Sequence, residues 1–420
     1  MTTELNQRQA YLRHAKLFLN QLKKWSAEIP TPRCLESLNA IESTMNNITA
    51  AFLRTTSPIQ LDLPEMTRDF AIMLFDYYDK RSSWNQWGDD IGPHGLSACE
   101  RLGDTYSMGE AYPIICNCFG IVRRMQGKNS EAMRFYEQAL ENAERDELKS
   151  DALTNMADIY RLQGRAEQAL QCAQQAIKLG QRSEDSSREA KGLEYLGLTY
   201  TFLGEYDKAI GLYEQALHLR EEAGNLPRIA LVLTQLSYAL THRAGKEDLK
   251  RAIVYYRRSY NIDVQIGNWQ SVARYWGDVA VTYNRLGEYQ KAVENSEQAL
   301  DRNESIGFLR GIALNHIRLA ESYLYLSNFD KALFHVEQAC KNLRHLAPFD
   351  RKMVLAGFSN VLLDLGKYMQ SFGKLTEATA YAKLAIELAG EVNANTMLQA
   401  ATYLLQQLEL PIGEERVGEI

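Results

Sequence analysis

Two stretches of this chain place chemically capable residues at short spacing, and its histidines make a third candidate set. The first, Gly120-Ile-Val-Arg-Arg-Met-Gln-Gly-Lys128, has the glycines and the lysine of a phosphate-cradling loop. Such a loop needs four residues between its glycines and a Ser or Thr after the lysine to meet a magnesium ion. Here six residues separate Gly120 from Gly127, and Asn129 follows. The second is Cys116-Asn-Cys118. On a helix these two side chains point about 200° apart, so they cannot share a tetrahedral ion. The third is the set of seven histidines, at 14, 94, 218, 242, 316, 335 and 345. They are dispersed, with no His-Glu-x-x-His and no partner Cys-x-x-Cys, and no Gly-x-Ser-x-Gly nucleophile elbow occurs. Carboxylates such as Glu214 and Glu294 have the spacing of a solvated helix face. The reading is therefore non-enzymatic, with no catalytic residue, no metal ligand set and no cofactor.

The glycines and small residues answer instead to a larger order. Gly127-Lys-Asn-Ser-Glu-Ala132 returns as Gly164-Arg-Ala-Glu-Gln-Ala169, Gly204-Glu-Tyr-Asp-Lys-Ala209, Gly287-Glu-Tyr-Gln-Lys-Ala292 and Gly373-Lys-Leu-Thr-Glu-Ala378. Ser327-Asn-Phe-Asp-Lys-Ala332 replaces the glycine, and Gly245 to Ala252 carries two extra residues. Seven residues after each alanine stands another small residue: Ala139, Ala176, Ala216, Ser259, Ala299, Ala339 and Ala385. Seven residues is about two helical turns, so both lie on one face, where a neighbouring helix can approach closely. The glycine supplies the left-handed backbone that ends the preceding helix.

A second amphipathic helix precedes each glycine. Trp276, Val279, Ala280 and Tyr283 lead to Gly287; Leu193, Leu196, Gly197 and Tyr200 lead to Gly204; Leu153, Met156, Ala157 and Tyr160 lead to Gly164. His316, Leu319, Ala320 and Tyr323 do the same before Ser327, which makes His316 a packing residue. Offsets of 0, 3, 4 and 7 form one helix face. Each unit is thus helix A, a tight turn and helix B. Successive alanines are 37, 40, 43, 40, 40 and 46 residues apart. No unit can bury its face alone, so neighbours must stack.

Composition agrees with such a stack. The 420 residues are 45% hydrophobic and 24% charged, with a formal net charge of -6. That acidity argues against nucleic acid as the partner, which would need cations for its phosphates. Six scattered cysteines show no disulfide framework. The N-terminus lacks the apolar run of a secretory signal, and no stretch is long enough to insert in a membrane. A cytoplasmic protein is expected, of open oligomeric state.

The repeated Gly/Ala frame resembles the tetratricopeptide repeat family in its extended form of about 40 residues, over roughly 105–410 in seven units. The resemblance implies an all-α, right-handed superhelical solenoid of stacked helix-turn-helix repeats. An N-terminal helical cap (1–65), a degenerate repeat (66–104) that has lost its small positions, and a tail (411–420) complete the expected organisation. The N-terminal part, with helices expected at about 5–28 and 35–55, also resembles the sensor half of STAND signalling ATPases with an NB-ARC domain. Arg13-His14 and Asn47-Ile48 with Ala50-Ala51 carry that likeness, though the nearest carboxylate before the Asn is Glu42. The ATPase domain of such proteins would be missing.

In the resembled repeats helix A lines the concave surface. The partner-binding candidates are accordingly Asn155, Arg161, Tyr238, His242, Arg274, Asn284, Arg285, Arg318 and Tyr325. Arg, Tyr and Asn can clamp a peptide backbone or carboxylate. Arg161, Arg274, Arg285 and Arg318 would make the groove locally positive. The expected partner is a protein or peptide. A regulator gated by a signalling peptide, resembling Rap-type proteins with their N-terminal bundle and about seven repeats, is the alternative.

Overall fold

The computed structural model describes residues 2–29, 33–80, 83–102, 110–346, 348–391 and 395–409. Pro30, Pro32, the expected boundary at 104–105 and the expected tail at 411–420 lie outside the described residues. No strand occurs among the described residues, and none of their helices is long and apolar enough to cross a membrane. The chain divides into two compact units: Met1–Arg243 with Arg257–Asn268, and Ala244–Tyr256 with Trp269–Ile420.

The first unit opens with α1 (Thr2–Glu28), α2 (Cys34–Thr56) and α3 (Pro64–Lys80), which pack on one another. Ala15, Leu22, Ile41, Ile48, Phe52, Phe70 and Leu74 are buried among them. A short α4 (Trp84–Gln86), a π-helical turn (Trp87–Ile91) and α5 (Gly92–Leu102) follow, with α5 against α3. The small positions expected to be lost here survive as glycines. A Cβ on Gly88 would come within 2.8 Å of Val122, on Gly92 within 2.7 Å of Trp87, and on Gly95 within 2.5 Å of Ala71. Trp87 is fully buried, and its indole Nε1 donates to the carbonyl of Ala71 at 2.9 Å.

Helix pairs then succeed one another: α6 (Ala111–Met125) with α7 (Asn129–Asn142), α8 (Asp146–Leu162) with α9 (Ala166–Arg182), and α10 (Ser186–Phe202) with α11 (Tyr206–Glu222). Next come α12 (Leu226–Arg243) and α13 (Lys246–Gln265), whose residues divide between the two units. The second unit continues with α14 (Trp269–Leu286) and α15 (Tyr289–Ser305), α16 (Leu309–Tyr325) and α17 (Phe329–Leu343), α18 (Pro348–Ser371) and α19 (Leu375–Glu391), and closes on α20 (Asn395–Glu409).

The sequence frame sets this packing. From Ala132 and Ala139 to Ala378 and Ala385, every first and second small residue of the seven units is buried, none more than 3% exposed. A missing side chain on one helix receives a ring from the next: Tyr136 lies where a Cβ on Gly120 would be, and Tyr213 does so at Gly197. Gly127, Gly164, Gly204, Gly287 and Gly373 take positive φ, and so does Ser327. At Gly127 the amides of Gly127 and Lys128 donate back to Arg124 and Arg123, which satisfies carbonyls the helix end would orphan. One turn departs from expectation. Ala244 (φ 62°), not Gly245, holds the left-handed position, so the inserted residues fall after the turn. A second series of left-handed residues, Glu184, Gly224, Gly267 and Gly307, ends the B helices.

Candidate functional site

The glycines and cysteines that looked like chemistry are used in packing and turns. Gly120 accommodates Tyr136, and Gly127 makes a turn. Cys116 and Cys118 are both buried and unbridged, and burial pushes the Cys116 thiol up to about 12, so it stays a protonated, unreactive group. His316 is buried as expected; its Nδ1 lies 3.0 Å from that of His335. Burial lowers both to about 4, so the pair is neutral at physiological pH.

In the first unit the polar residues of the A helices bind one another across successive repeats. Asp158 of α8 takes Arg124 of α6 at 3.1 Å and Arg161 of its own helix at 2.6 Å. Asn155 is buried, and its Nδ2 donates to Asn117 of α6 at 3.3 Å. Asp151 takes Arg188 and Lys191 of α10 at 3.0 and 2.9 Å. Burial pushes Asp151 up, but the two cations outweigh it and hold the carboxyl below its ordinary value. Glu194 of α10 and Arg220 of α11 are each only 2% exposed and pair at 2.7 Å. A cavity of about 310 Å³ adjoins this ladder, lined by Asp151, Lys191 and Arg228 from the repeats and by Ser26 and Asp76 from α1 and α3. Farther along, Tyr238 and His242 of α12 meet with ring centroids 4.1 Å apart, and Tyr206 of α11 stacks on His242.

In the second unit Arg274 and Asp278 of α14 meet Arg318 of α16. Arg274 Nε lies 3.4 Å from Asp278 Oδ2, and Arg318 Nη2 lies 3.4 Å from Oδ1. Here burial outweighs the arginines and pushes the Asp278 carboxyl up. Gly277 leaves the space that the Arg318 guanidinium fills, since a Cβ there would come within 2.1 Å of Nη1. Arg318 Nη1 also donates to Asn315 Oδ1 at 3.0 Å. Beside these residues a cleft of about 930 Å³ opens between α14, the end of α15 and the start of α16. Asn284 is buried, donates to Glu321 at 3.3 Å and accepts from the Ser322 hydroxyl at 2.9 Å. Burial raises Glu321 against Asn284, Arg285 and Arg318. Tyr325, 52% exposed, stacks on Tyr289 of α15 at 4.7 Å.

The family model for the tetratricopeptide repeat matches residues 148–222, 228–305 and 271–345. The chain carries tetratricopeptide repeats. Solved structures of similar fold include a signal-transduction ATPase of the STAND class with a tetratricopeptide repeat sensor, from Pyrococcus horikoshii. It has 16% identity and a TM-score of 0.64, covering 95% of this chain and 55% of that one. The apo form of RapI has 12% identity and a TM-score of 0.58, covering 90% and 99%. A Rap protein complexed with Competence and Sporulation Factor has 14% identity and a TM-score of 0.55, covering 90% and 99%. At such identity the likeness is one of fold. No curated protein matches the chain.

Across these tetratricopeptide repeats the nine candidates from the sequence divide between the two units, Asn155, Arg161, Tyr238 and His242 in the first and Arg274, Asn284, Arg285, Arg318 and Tyr325 in the second. Asn155 and Arg161 are tied back to α6 and Asp158. Tyr238 and His242 come together, with Tyr206 added. Arg274 and Arg318 share Asp278, while Asn284 and Arg285 flank Glu321. The residues that sequence reading missed are the partners: Asn117, Arg124, Arg188, Arg220 and Asp278. A legible signal existed. Opposite charges stand one repeat length apart, as in Asp151 with Lys191 and Asp278 with Arg318.

Proposed function

We propose that this protein binds other proteins or peptides through the exposed polar and aromatic residues of its A helices and does not itself catalyse a reaction. The observation that carries this reading is the α14–α16 cleft, which combines an open volume of about 930 Å³ with Arg274, Arg318 and Trp269 in its wall. Pockets of this size that join apolar lining to a few placed polar groups suit ligands, and an extended peptide can run beyond one pocket along stacked repeats. The cytoplasm is the setting that fits six unbridged cysteines.

Panning a random peptide library on the full chain tests the proposal. Recovered peptides should lose about tenfold or more in affinity on Arg274→Ala or Tyr325→Ala. Stability should move by no more than about 0.5 kcal/mol. A library that yields nothing above background, or peptides indifferent to substitutions on every A helix, would rule it out.

A regulator gated by a signalling peptide is the second reading. It is favoured by the cavity that α1 and α3 share with α8, α10 and α12, because a ligand entering there would meet the bundle and the repeats together. Hydrogen exchange decides it. A bound peptide that changes protection in α1 or α3 supports gating, and one that leaves both unchanged leaves a plain scaffold.

A further inference from the structure

The cleft between α14, the end of α15 and the start of α16 is strongly unbalanced in charge. Arg274, Arg302, Arg310 and Arg318 line it against one carboxylate among its described residues, Asp278. The lining thus carries a formal excess of three positive charges. Asp278 lies 3.4 Å from both Arg274 and Arg318. A hydrogen-bonded guanidinium–carboxylate pair closes to about 2.7–2.9 Å, so both arginines keep donors for another anion.

The first turn of α16 enters the same space through Phe308, Arg310 and Gly311. Its N-cap residue is Phe308, whose side chain makes no capping hydrogen bond. The positive end of a helix with free amides suits a phosphate. A separate feature of the wall points to a ligand as well. Asn315 is fully buried; its Oδ1 accepts from Arg318, but its Nδ2 has no hydrogen-bond partner among the described residues. Native interiors seldom keep a buried donor in that condition without a use. Across the cleft stands Trp269, 60% exposed, a large ring that the fold leaves uncovered.

We infer that this cleft binds a nucleoside diphosphate. The pyrophosphate lies between the arginines and the first turn of α16, and the base stacks on Trp269. A diphosphate ester carries about three negative charges at neutral pH, which matches the excess in the lining. Asn315 donates from Nδ2 to a ligand oxygen. The volume of about 930 Å³ falls within the range of about 300–1,000 Å³ usual for small-molecule sites. The inference goes beyond peptide binding, because it gives the cleft a small-molecule ligand. A nucleotide and a peptide that both call on Arg274 and Arg318 then exclude one another.

Equilibrium dialysis of the full chain tests it with four probes at one ionic strength: ADP, GDP, adenosine and inorganic pyrophosphate. ADP or GDP should bind about tenfold more tightly than pyrophosphate, and adenosine more weakly than the nucleotides. Trp269→Ala should weaken the nucleotide about tenfold and leave pyrophosphate unchanged, because only the base meets the ring. Arg318→Gln should weaken nucleotide and pyrophosphate alike, by about tenfold or more. Should Arg318→Gln melt early, the exposed Arg302→Gln serves in its stead. Asn315→Leu removes the donor at similar volume and should weaken both several-fold.

Failure of both nucleotides to bind would overturn the assignment. So would pyrophosphate binding as tightly as the nucleotides, an equal effect of Trp269→Ala on both, or nucleotide binding indifferent to Arg302 and Arg318. The peptide reading has its own readout. If the nucleotides fail while library-selected peptides bind and depend on A-helix residues, this inference falls and peptide binding stands. If the nucleotides bind as described and the library yields nothing, the reverse holds.

Discussion

Asp151 and Asp278 occupy comparable places in the two units: each is a half-buried carboxylate on an A helix with a cation forty positions later, Lys191 or Arg318. Their surroundings differ. Asp151 is gripped at 2.9 and 3.0 Å, and its cations hold it ionised. Asp278 is held only at 3.4 Å, and burial prevails. The cavity beside the first measures about 310 Å³ and that beside the second about 930 Å³. One repeat-length pairing therefore does two jobs. Drawn tight, it is a rung that ties neighbouring repeats. Left loose, it stands in the wall of an open cleft.

The largest test of that contrast is Glu194→Ala. It leaves Arg220 buried and uncompensated in the first unit, and should cost about 3–5 kcal/mol in urea unfolding. A loss below about 1 kcal/mol would mean the ladder holds nothing together. Next come Ala209→Phe and Ala292→Phe, one in each unit and both fully buried. Overpacking should cost each about 1–3 kcal/mol. Near-neutral behaviour of either would show that the small positions tolerate bulk in that unit.

The pH dependence of Asp151 and Asp278 sharpens the comparison further, because the signs oppose. Asp151 is held below the ordinary value, so its stabilisation is present above about pH 3.9 and is lost as pH falls through the folded-state value. Asp151→Asn should then be less stable than the parent at pH 7, with the deficit shrinking on acidification. Asp278 is raised, so its favourable contribution is present below about pH 3.9 and is lost as pH rises through the folded-state value. Asp278→Asn should be the more stable at pH 7, with that advantage gone in acid. Thermal melts of both variants from pH 7 to 3 check this, and deficits of the same sign would erase the distinction. The smallest expected effect is Arg302→Gln, on the exposed rim of the cleft. Its stability should stay within about 0.5 kcal/mol of the parent, and calorimetry would detect a hidden structural role.

Much of the fold was readable because its signals are local. A glycine at a left-handed turn and two small residues seven apart are decided within a few helical turns, and Ala132 through Ala385 are buried as that frame requires. The exception at Ala244 shows the limit: with two extra residues before Ala252, either neighbour could hold the turn. The candidate site was legible only in part. Helix A residues named for their outward-looking types turned out to serve different ends. Asn155 became a buried bridge, Tyr325 a stacking partner, and Arg318 a lid over Gly277.

The amino-acid sequence by itself determined the helix pairs, their turns and the faces they bury, since steric size and backbone preference act between near neighbours along the chain. Only the tertiary structure decided which charges from adjacent repeats touch, which tyrosines stack and where a cleft stays open. Those outcomes depend on the rotation and offset between stacked helices, where a shift of half an ångström separates the 2.9 Å contact at Asp151 from the 3.4 Å contact at Asp278.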